Sequence, residues 1–283
     1  MIHIFLRLLI FVSFVGTAAG SSLPFESRVI QSGHSLTDPI PWVLERMIKE
    51  ASGKDAVIAK STIPGSPMDW RWNNAPGYGA PDARKNIENY DVLVITERAP
   101  LSGTMPWHNS EAEALRWVNH AWNNGNGGLG ALVYLYATWV PINSGPHSEN
   151  PHNDPEAHIP FRDRLPLEWQ RWERIADYVN ANRTLETPSM KVIPGPLVLA
   201  KAYDDIASGN APGLSNIADL FFDDIHLNDS GAYLITLAHF VSLYGTDPRG
   251  LSNDLGQTKP PSAETAAWMQ ELVWQVISDY KGR

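Results

Sequence analysis

The chain has 283 residues, with 22 lysines and arginines against 31 aspartates and glutamates, so its formal net charge is −9 at pH 7. This acidic balance argues against a nucleic-acid-binding protein, which needs a basic surface. The chain contains no cysteine. Disulfide bonds, zinc–thiolate sites, iron–sulfur clusters and a cysteine nucleophile are therefore excluded.

The first 20 residues have the pattern of a secretory signal peptide. Arg7 provides the basic segment, residues 8–15 the apolar segment, and residues 18–20 (Ala-Ala-Gly) a small-residue cleavage site. The apolar stretch is shorter than the roughly 20 residues of a membrane-spanning helix, although an uncleaved anchor is the alternative. We expect cleavage after residue 20, one domain over residues 21–283, no stable membrane insertion, and a secreted or periplasmic location.

Short apolar runs alternate with amphipathic stretches along the rest of the chain. Strands are predicted at residues 29–30, 56–59, 91–95, 132–136 and 191–193. Helices are predicted at residues 38–51, 110–123, 167–179, 196–207 and 268–280. Strands that alternate with helices form a parallel sheet covered on both faces. We therefore predict an α/β fold, a three-layer α/β/α sandwich with about five parallel strands.

Two long segments separate these elements, at residues 64–89 and 141–166. Both are rich in proline, glycine, asparagine and tryptophan. Ligands of such sheets bind at the carboxyl ends of the strands, and loops of this length in a compact domain are usually functional or disordered. We therefore look for chemistry in the segments that follow each strand.

Ser35 directly follows the first strand, in the Gly-His-Ser-Leu segment 33–36. A serine at a strand-to-helix turn projects its hydroxyl over the sheet edge, where the next helix offers backbone N–H groups to an oxyanion. Asp223 precedes His226 by three residues, so the carboxylate can orient the imidazole while Nε2 faces Ser35. A helix-capping serine and a structural histidine are the alternatives.

These segments resemble the sequence blocks of the SGNH (GDSL-type) hydrolase family. Segment 33–36 is similar to the first block, with Ser35 as nucleophile, and Asp223-x-x-His226 is similar to the last block, which carries the acid and base. Segment 64–66 is similar to the second block, whose glycine, here Gly65, lines the oxyanion hole. The resemblance implies a flavodoxin-like sheet and ester hydrolysis without a metal or an organic cofactor.

The chain departs from the family pattern at two places. His34 stands where the first block usually has aspartate. The third block should supply Gly-x-Asn-Asp after the third strand, but segment 96–100 reads Thr-Glu-Arg-Ala-Pro and lacks asparagine.

The second departure concerns the oxyanion hole. The backbone N–H groups of Ser35 and Gly65 are expected to form it, with Thr96 or a protonated Glu97 as a third donor. A structural ion pair of Glu97 with Arg98 or another cation is the alternative. Loss of one donor typically costs ~10²–10³ in rate, so a divergent enzyme is favoured over an inactive protein.

The 11 tryptophans separate into two groups. Seven lie on helical stretches, where burial in the core is the usual role. The other four lie on the predicted active edge: Trp70, Trp72, Trp107 and Trp139. Indole faces beside hydrogen-bonding groups suit sugar rings, whereas a fatty-acyl funnel would hold more Leu, Phe and Met. We therefore predict that these four bind an acylated small molecule or polysaccharide, unless they only anchor long loops to the domain.

Residues 147–158 are rich in potential metal ligands, with three histidines and three acids. They are His147, His152, His158, Glu149, Asp154 and Glu156. Zinc, nickel or calcium could use such groups, but the spacings match no compact ligand pattern. A solvated loop over the substrate cleft is the simpler interpretation, and no metal site is predicted.

The leading hypothesis is an exported serine esterase that removes acyl groups, with acetyl expected, from a carbohydrate. The same acyl-enzyme would make a transferase if a sugar hydroxyl resolved it. The alternatives are a lipid esterase or thioesterase of the same fold, and a non-catalytic glycan-binding protein that lost the third-block asparagine.

Overall fold

The computed structural model describes residues 22–151 and 153–282, so the predicted signal peptide lies outside the described residues. The described strands are β1 (Val29–Gly33), β2 (Ile58–Thr62), β3 (Val92–Ile95), β4 (Leu132–Ala137) and β5 (Lys191–Pro194). They form one sheet in the order β2-β1-β3-β4-β5, and every neighbouring pair is parallel. This is the strand order of flavodoxin-like sheets. The predicted α/β fold is confirmed.

The helices among the described residues cover both faces of this sheet. They are α1 (Ile40–Ser52), α2 (Met68–Asn73), α3 (Leu101–His108), α4 (Ser110–Asn124), α5 (Phe161–Asn182), α6 (Gly195–Ala207), α7 (Asp229–Tyr244) and α8 (Ala263–Lys281). Short 3₁₀ turns lie at Ile87–Asn89, Asn126–Gly128 and Ile217–Leu220. None of these helices is sufficiently long and apolar to cross a lipid bilayer.

The sheet separates two hydrophobic clusters. Val92 and Val94 of β3 contribute to the cluster under α1, α6, α7 and α8, whereas Leu93 and Ile95 contribute to the cluster under α2, α3 and α4. Helix α5 contributes side chains to both clusters. Successive side chains of a strand point to opposite faces. An unbroken apolar run such as β3 therefore requires helices on both sides of the sheet, as the sequence predicted.

The structure adds three helices that the pattern did not predict and extends two others. Helix α8 begins at Ala263 instead of residue 268. In α7 every residue from Gly231 to Tyr244 is buried. A helix that is apolar all round has no amphipathic period to recognise. The short helices α2 and α3 lie in segments predicted as loops. Helix α5 begins at Phe161 instead of residue 167, with Pro166 inside it, where a proline normally suggests a helix boundary.

Candidate active site

Ser35 lies in the turn between β1 and α1. After Gly33 the chain reverses through hydrogen bonds from the Thr37 N–H to the His34 carbonyl (2.8 Å) and from the Asp38 N–H to the Ser35 carbonyl (3.2 Å). Only glycine fits at position 33, because a Cβ there would lie 2.0 Å from Thr37 Oγ1. The turn therefore holds the serine at the carboxyl edge of the sheet, as predicted.

Ser35, His226 and Asp223 form a continuous chain of hydrogen bonds. His226 Nε2 lies 2.9 Å from Ser35 Oγ, and His226 Nδ1 lies 2.8 Å from Asp223 Oδ2. The structure thus brings together a serine and a histidine that are 191 residues apart in the chain. With Nδ1 donating its proton to the carboxylate, Nε2 is left to accept the serine proton.

The carboxylate of Asp223 is held in its ionised form. Partial burial acts to raise the pKa of Asp223, but hydrogen bonds from the backbone of His226 and Ile225 and from the imidazole bring it below its ordinary value. The two backbone N–H groups donate to Oδ1 at 2.7 and 2.9 Å. Since Oδ2 then faces the imidazole, the carboxylate fixes both the tautomer and the direction of the ring.

A tight turn at the start of α7 presents the acid and the base. The Phe222 N–H donates to the His226 carbonyl at 2.7 Å and closes the turn. Asn228 then caps α7, since its Oδ1 accepts two backbone N–H groups of the first helical turn at 3.0 and 3.1 Å. Because α7 is buried on all sides, this cap ties the turn that carries His226 to a well-packed helix.

The side chain of Trp139 is not accessible to a substrate, so the prediction that it binds one is wrong. Its side chain is fully buried, with 0% exposed, because the turn that carries Asp223 and His226 folds over the end of β4. The indole N–H donates to the Ile225 carbonyl at 2.9 Å, and the ring packs edge-on against Phe221 at 6.1 Å. Trp139 therefore packs under the turn that carries Asp223 and His226 and helps to hold it in place.

Trp72 is half-buried and packs against a neighbouring helix. Its ring meets Trp117 edge-on at 5.1 Å and His120 at 5.2 Å, and the Arg116 guanidinium lies 4.0 Å from its ring centre. These partners all belong to α4. Trp72 thus anchors α2 to the neighbouring helix, which is the loop-anchoring alternative considered for the edge tryptophans.

Trp70 and Trp107 remain exposed, with 55% and 80% of their surface accessible. They stand on α2 and α3, which follow β2 and β3 at the carboxyl edge of the sheet. Phe222, which the sequence did not single out, is 83% exposed directly before Asp223. The only signal for it was an aromatic residue at the end of an apolar run, immediately before the acid of the triad.

The segment after β2 brings Gly65 beside the nucleophile turn. The Ile63 N–H donates to the Gly33 carbonyl at 3.0 Å, which extends the pairing of β1 and β2. Gly65 has a φ of +63°, in the left-handed region that favours glycine. The turn after β2 therefore runs alongside the turn of Ser35, as an oxyanion hole built from both turns requires.

Thr96 and Glu97 do not supply the third oxyanion donor, so this prediction is wrong. Both are buried, with 1% and 0% exposed, and they bind backbone groups beneath the edge. Glu97 Oε1 accepts the N–H groups of Met68 (3.0 Å) and Arg98 (2.7 Å), and the Thr96 hydroxyl donates to the Glu97 carbonyl at 3.3 Å. Burial raises the pKa of Glu97, and the charge of Arg71 opposes this rise.

Arg71 is a buried cation that sequence reasoning missed. Its guanidinium donates to Ser32 Oγ at 3.3 Å, to Ser66 Oγ at 3.2 Å, and to the carbonyl oxygens of Ser66 and Thr96. Burial lowers its pKa to about 10, against the opposing effect of Glu97, so the group is charged at neutral pH. It joins the ends of β1 and β3 to the segment after β2, through contacts that no local pattern reveals.

His34 connects the turn of Ser35 to the segment after β3. It is buried, its Nε2–H donates to the Glu97 carbonyl at 3.0 Å, and its Nδ1 accepts the Leu36 N–H at 3.4 Å. Burial lowers the pKa of His34 to about 3, and the charge of Arg71 acts in the same direction. A neutral histidine beside Ser35 therefore hydrogen-bonds the backbone of the segment that follows β3.

The histidine-rich segment 147–158 is held in place by its acids. Asp154 is buried, forms an ion pair with Arg164 at 2.5 Å, and accepts the Ser102 hydroxyl at 2.7 Å. Glu156 pairs with Arg171. These contacts fasten the segment to α3 and α5.

The two described histidines of this segment form no cluster with its acids. His147 and His158 are exposed, and His152 lies outside the described residues. Within residues 22–151 and 153–282, no three acidic or histidine side chains are grouped so as to hold a metal ion.

The comparisons with known proteins give information on the fold of the chain. No family model matches the chain, and no curated protein matches it in sequence. The chain is similar in structure to the crystal structure of a DUF4886 family protein from Bacteroides uniformis, with 17% sequence identity and a TM-score of 0.60. The match covers 91% of this chain and 96% of that chain. At this identity the likeness shows a shared α/β fold.

Proposed function

We propose that the protein is an exported serine esterase of the SGNH type that removes acyl groups, with acetyl expected, from a carbohydrate substrate. The hydrogen-bonded chain from Ser35 through His226 to Asp223, with links of 2.9 and 2.8 Å, carries this proposal. It stands at the carboxyl edge of a flavodoxin-like sheet, where such sheets bind ligands. The signal-like segment 1–20 supports export.

The proposed reaction passes through an acyl-enzyme. Ser35 Oγ attacks the ester carbonyl carbon while His226 Nε2 takes the serine proton. The tetrahedral oxyanion is stabilised by the backbone N–H groups of Ser35 and Gly65. The bond to the sugar oxygen then breaks, and His226 returns the proton to that oxygen. Water attacks the acyl-enzyme by the same steps in reverse and releases the acid.

The exposure of the site supports a large, polar substrate. The side chains of His226 and Asp223 are each 42% exposed, and exposed rings of Trp70, Trp107 and Phe222 lie on segments of the same edge. An open surface with separate aromatic rings suits a polysaccharide, whereas a long acyl chain is best bound in an enclosed apolar channel. The sugar hydroxyl of a second substrate could replace water, which would make the enzyme an acyltransferase.

Activity-based labelling tests the proposal. Wild type should hydrolyse a simple aryl acetate and should react with a fluorophosphonate probe, whereas Ser35→Ala should lose turnover by about 10⁴-fold or more and should not be labelled. Ser208→Ala, an exposed serine at the end of α6, is the matched control and should behave as wild type. A folded wild type that neither turns over the ester nor reacts would refute the esterase and leave the glycan-binding alternative.

A second measurement separates the two classes of ester. Acetate release from a panel of acetylated polysaccharides is compared with hydrolysis of aryl esters of increasing acyl length. We expect acetyl esters to be the best substrates. A preference for long acyl chains would replace the glycan proposal by a lipid esterase or thioesterase.

A further inference from the structure

Arg98 places a positive charge at the carboxyl edge, and none of the described acidic side chains pairs with it. It is half-buried, and its guanidinium contacts no described carboxylate but a hydroxyl and an imidazole, with Nε 3.3 Å from Thr104 Oγ1 and Nη2 3.4 Å from His108 Nε2. By contrast, Arg164 and Arg171 on α5 pair directly with carboxylates. Among the described residues, no ion pair involves Arg98. A guanidinium in this state can still bind a carboxylate through two parallel hydrogen bonds.

A second histidine–aspartate pair fixes the direction of this guanidinium. His108 Nδ1 lies 3.0 Å from Asp69 Oδ2. The carboxylate accepts the Nδ1 proton, so the lone pair of Nε2 faces Arg98 Nη2 and accepts from it. Asp69 stands on α2 and His108 on α3, and the pair joins the two helices that carry Trp70 and Trp107. The Arg98 guanidinium is thus oriented by His108 and Asp69, which lie on the same two helices as the exposed Trp70 and Trp107.

The charge of Arg98 reaches the neighbourhood of the nucleophile. Burial is the main cause of the low pKa of His34, and the positive charges of Arg71 and Arg98 lower it further. His34 directly precedes Ser35, and its ring donates to the carbonyl of Glu97, the residue before Arg98. Through this contact, the segment that carries Arg98 borders Ser35 on the β3 side, where the guanidinium would attract an anionic group of a bound substrate.

We propose that Arg98, oriented by His108 and Asp69, binds a carboxylate of the substrate, so that the enzyme prefers acylated acidic sugars to neutral ones. This inference rests on the proposed esterase function. Arg98 is the binding residue, and His108 and Asp69 are positioning residues. The adjacent indoles of Trp70 and Trp107 would contact the sugar rings.

Matched aryl esters test the proposal. The probes are meta- and para-acetoxybenzoate, each compared with the acetoxybenzamide in which a neutral amide replaces the carboxylate. The measured quantity is the ratio of kcat/KM for the carboxylate to kcat/KM for the amide. We expect wild type to favour at least one carboxylate by roughly 10-fold to 100-fold, as expected for a charge-assisted hydrogen bond. High salt should reduce this ratio.

Three variants assign the preference to Arg98. Arg98→Gln should bring the ratio close to one, Arg98→Lys should keep part of it, and His108→Ala should lower it by a smaller factor through KM. The control is Arg183→Gln. Arg183 is also half-buried and contacts neutral groups, the Thr184 carbonyl at 3.2 Å and Ser189 Oγ at 2.8 Å, but it lies near the amino end of β5. This control should keep the wild-type ratio.

The opposite results would overturn the inference. A wild-type ratio near one for both positions, or a ratio that Arg98→Gln leaves unchanged, excludes a carboxylate-binding role. Equal slowing of both esters by Arg98→Gln also excludes it, because the guanidinium would then act on the reacting carbonyl. If wild type hydrolyses neither probe, the esterase proposal itself fails. Binding of each probe to Ser35→Ala, followed by tryptophan fluorescence, then still tests carboxylate recognition.

Discussion

The two sides of the candidate active site are built in different ways. The triad side comprises Ser35 and the turn 222–228. Within that turn, the hydrogen bonds that hold the acid span only two or three residues, from the N–H groups of Ile225 and His226 to Asp223. The β3 side, which comprises residues 96–108, depends on partners from distant segments. Arg71 contacts the Thr96 carbonyl across 25 residues of sequence, and His108 contacts Asp69 across 39 residues.

This difference explains which parts of the site a sequence can reveal. On the triad side, residue spacing alone restricts the geometry, because a carboxylate three residues before a histidine can fold back on it within one turn. On the β3 side, the electrostatics arise from the packing of α2 and α3 over the strand ends. His34 joins the two sides through its hydrogen bond to the Glu97 carbonyl.

The largest expected effect lies on the triad side. Asp223→Asn should lower kcat for an aryl acetate by about 10³–10⁴-fold, because an amide can donate to Nδ1 and stabilise the wrong tautomer of His226. Steady-state kinetics and the rate of fluorophosphonate labelling measure this loss. Asp224→Asn is the control, since that neighbouring side chain is exposed. Near-normal kcat in Asp223→Asn would show that the carboxylate does not orient the base.

A smaller effect is expected on the pH dependence of stability, through His34, whose hydrogen bond to the Glu97 carbonyl joins the two sides. The pKa of His34 falls to about 3 in the folded protein because of burial, whereas it is about 6.5 in an unfolded chain. Below about pH 6.5 the unfolded chain binds more protons, so this group's contribution to stability is complete above that pH and is lost as the pH falls towards 3. The free energy of unfolding should decrease by on the order of 3 kcal/mol at about pH 4 from this group alone.

Urea unfolding between neutral pH and about pH 4 measures this loss. His34→Gln keeps an N–H donor for the Glu97 carbonyl but cannot be protonated, so its stability should decrease less on acidification than that of wild type. His239 is also buried, and burial lowers its pKa to about 4, so some acid sensitivity should persist. His147→Gln, at an exposed position, should follow wild type. Equal acid sensitivity in His34→Gln and wild type would contradict the assignment.

The smallest expected effect belongs to the exposed rings on the β3 side and on α2. Trp107→Ala and Trp70→Ala should each raise KM for an acetylated polysaccharide by about 3-fold to 10-fold, since each would remove a contact between an indole and a sugar ring. The kcat for a small aryl acetate should change much less. Tyr178→Ala, an exposed aromatic residue of α5, is the control. An unchanged KM in both tryptophan variants would remove them from the binding surface.

The tryptophans show where prediction from the sequence failed. Trp107 and Trp139 both follow a strand at the carboxyl edge, and both were expected to bind substrate. Trp107 is 80% exposed and Trp139 is 0% exposed. The difference arises because the turn 222–228 closes over the end of β4, while α3 presents Trp107 to solvent. No property of the residues adjacent to either tryptophan in the chain indicates which strand end will be covered.

The sequence by itself determined the layered α/β fold, since continuous apolar strands between amphipathic helices can be buried only in a sheet covered on both faces. It also indicated Ser35, Asp223 and His226, because their chemistry depends on local turns and short spacings. Only the tertiary structure decided the surroundings of these groups. The buried guanidinium of Arg71 and the neutral ring of His34 depend on which distant segments meet. The same holds for the charge of Arg98, which forms no ion pair with any described residue. Burial and charge act through space and not along the chain.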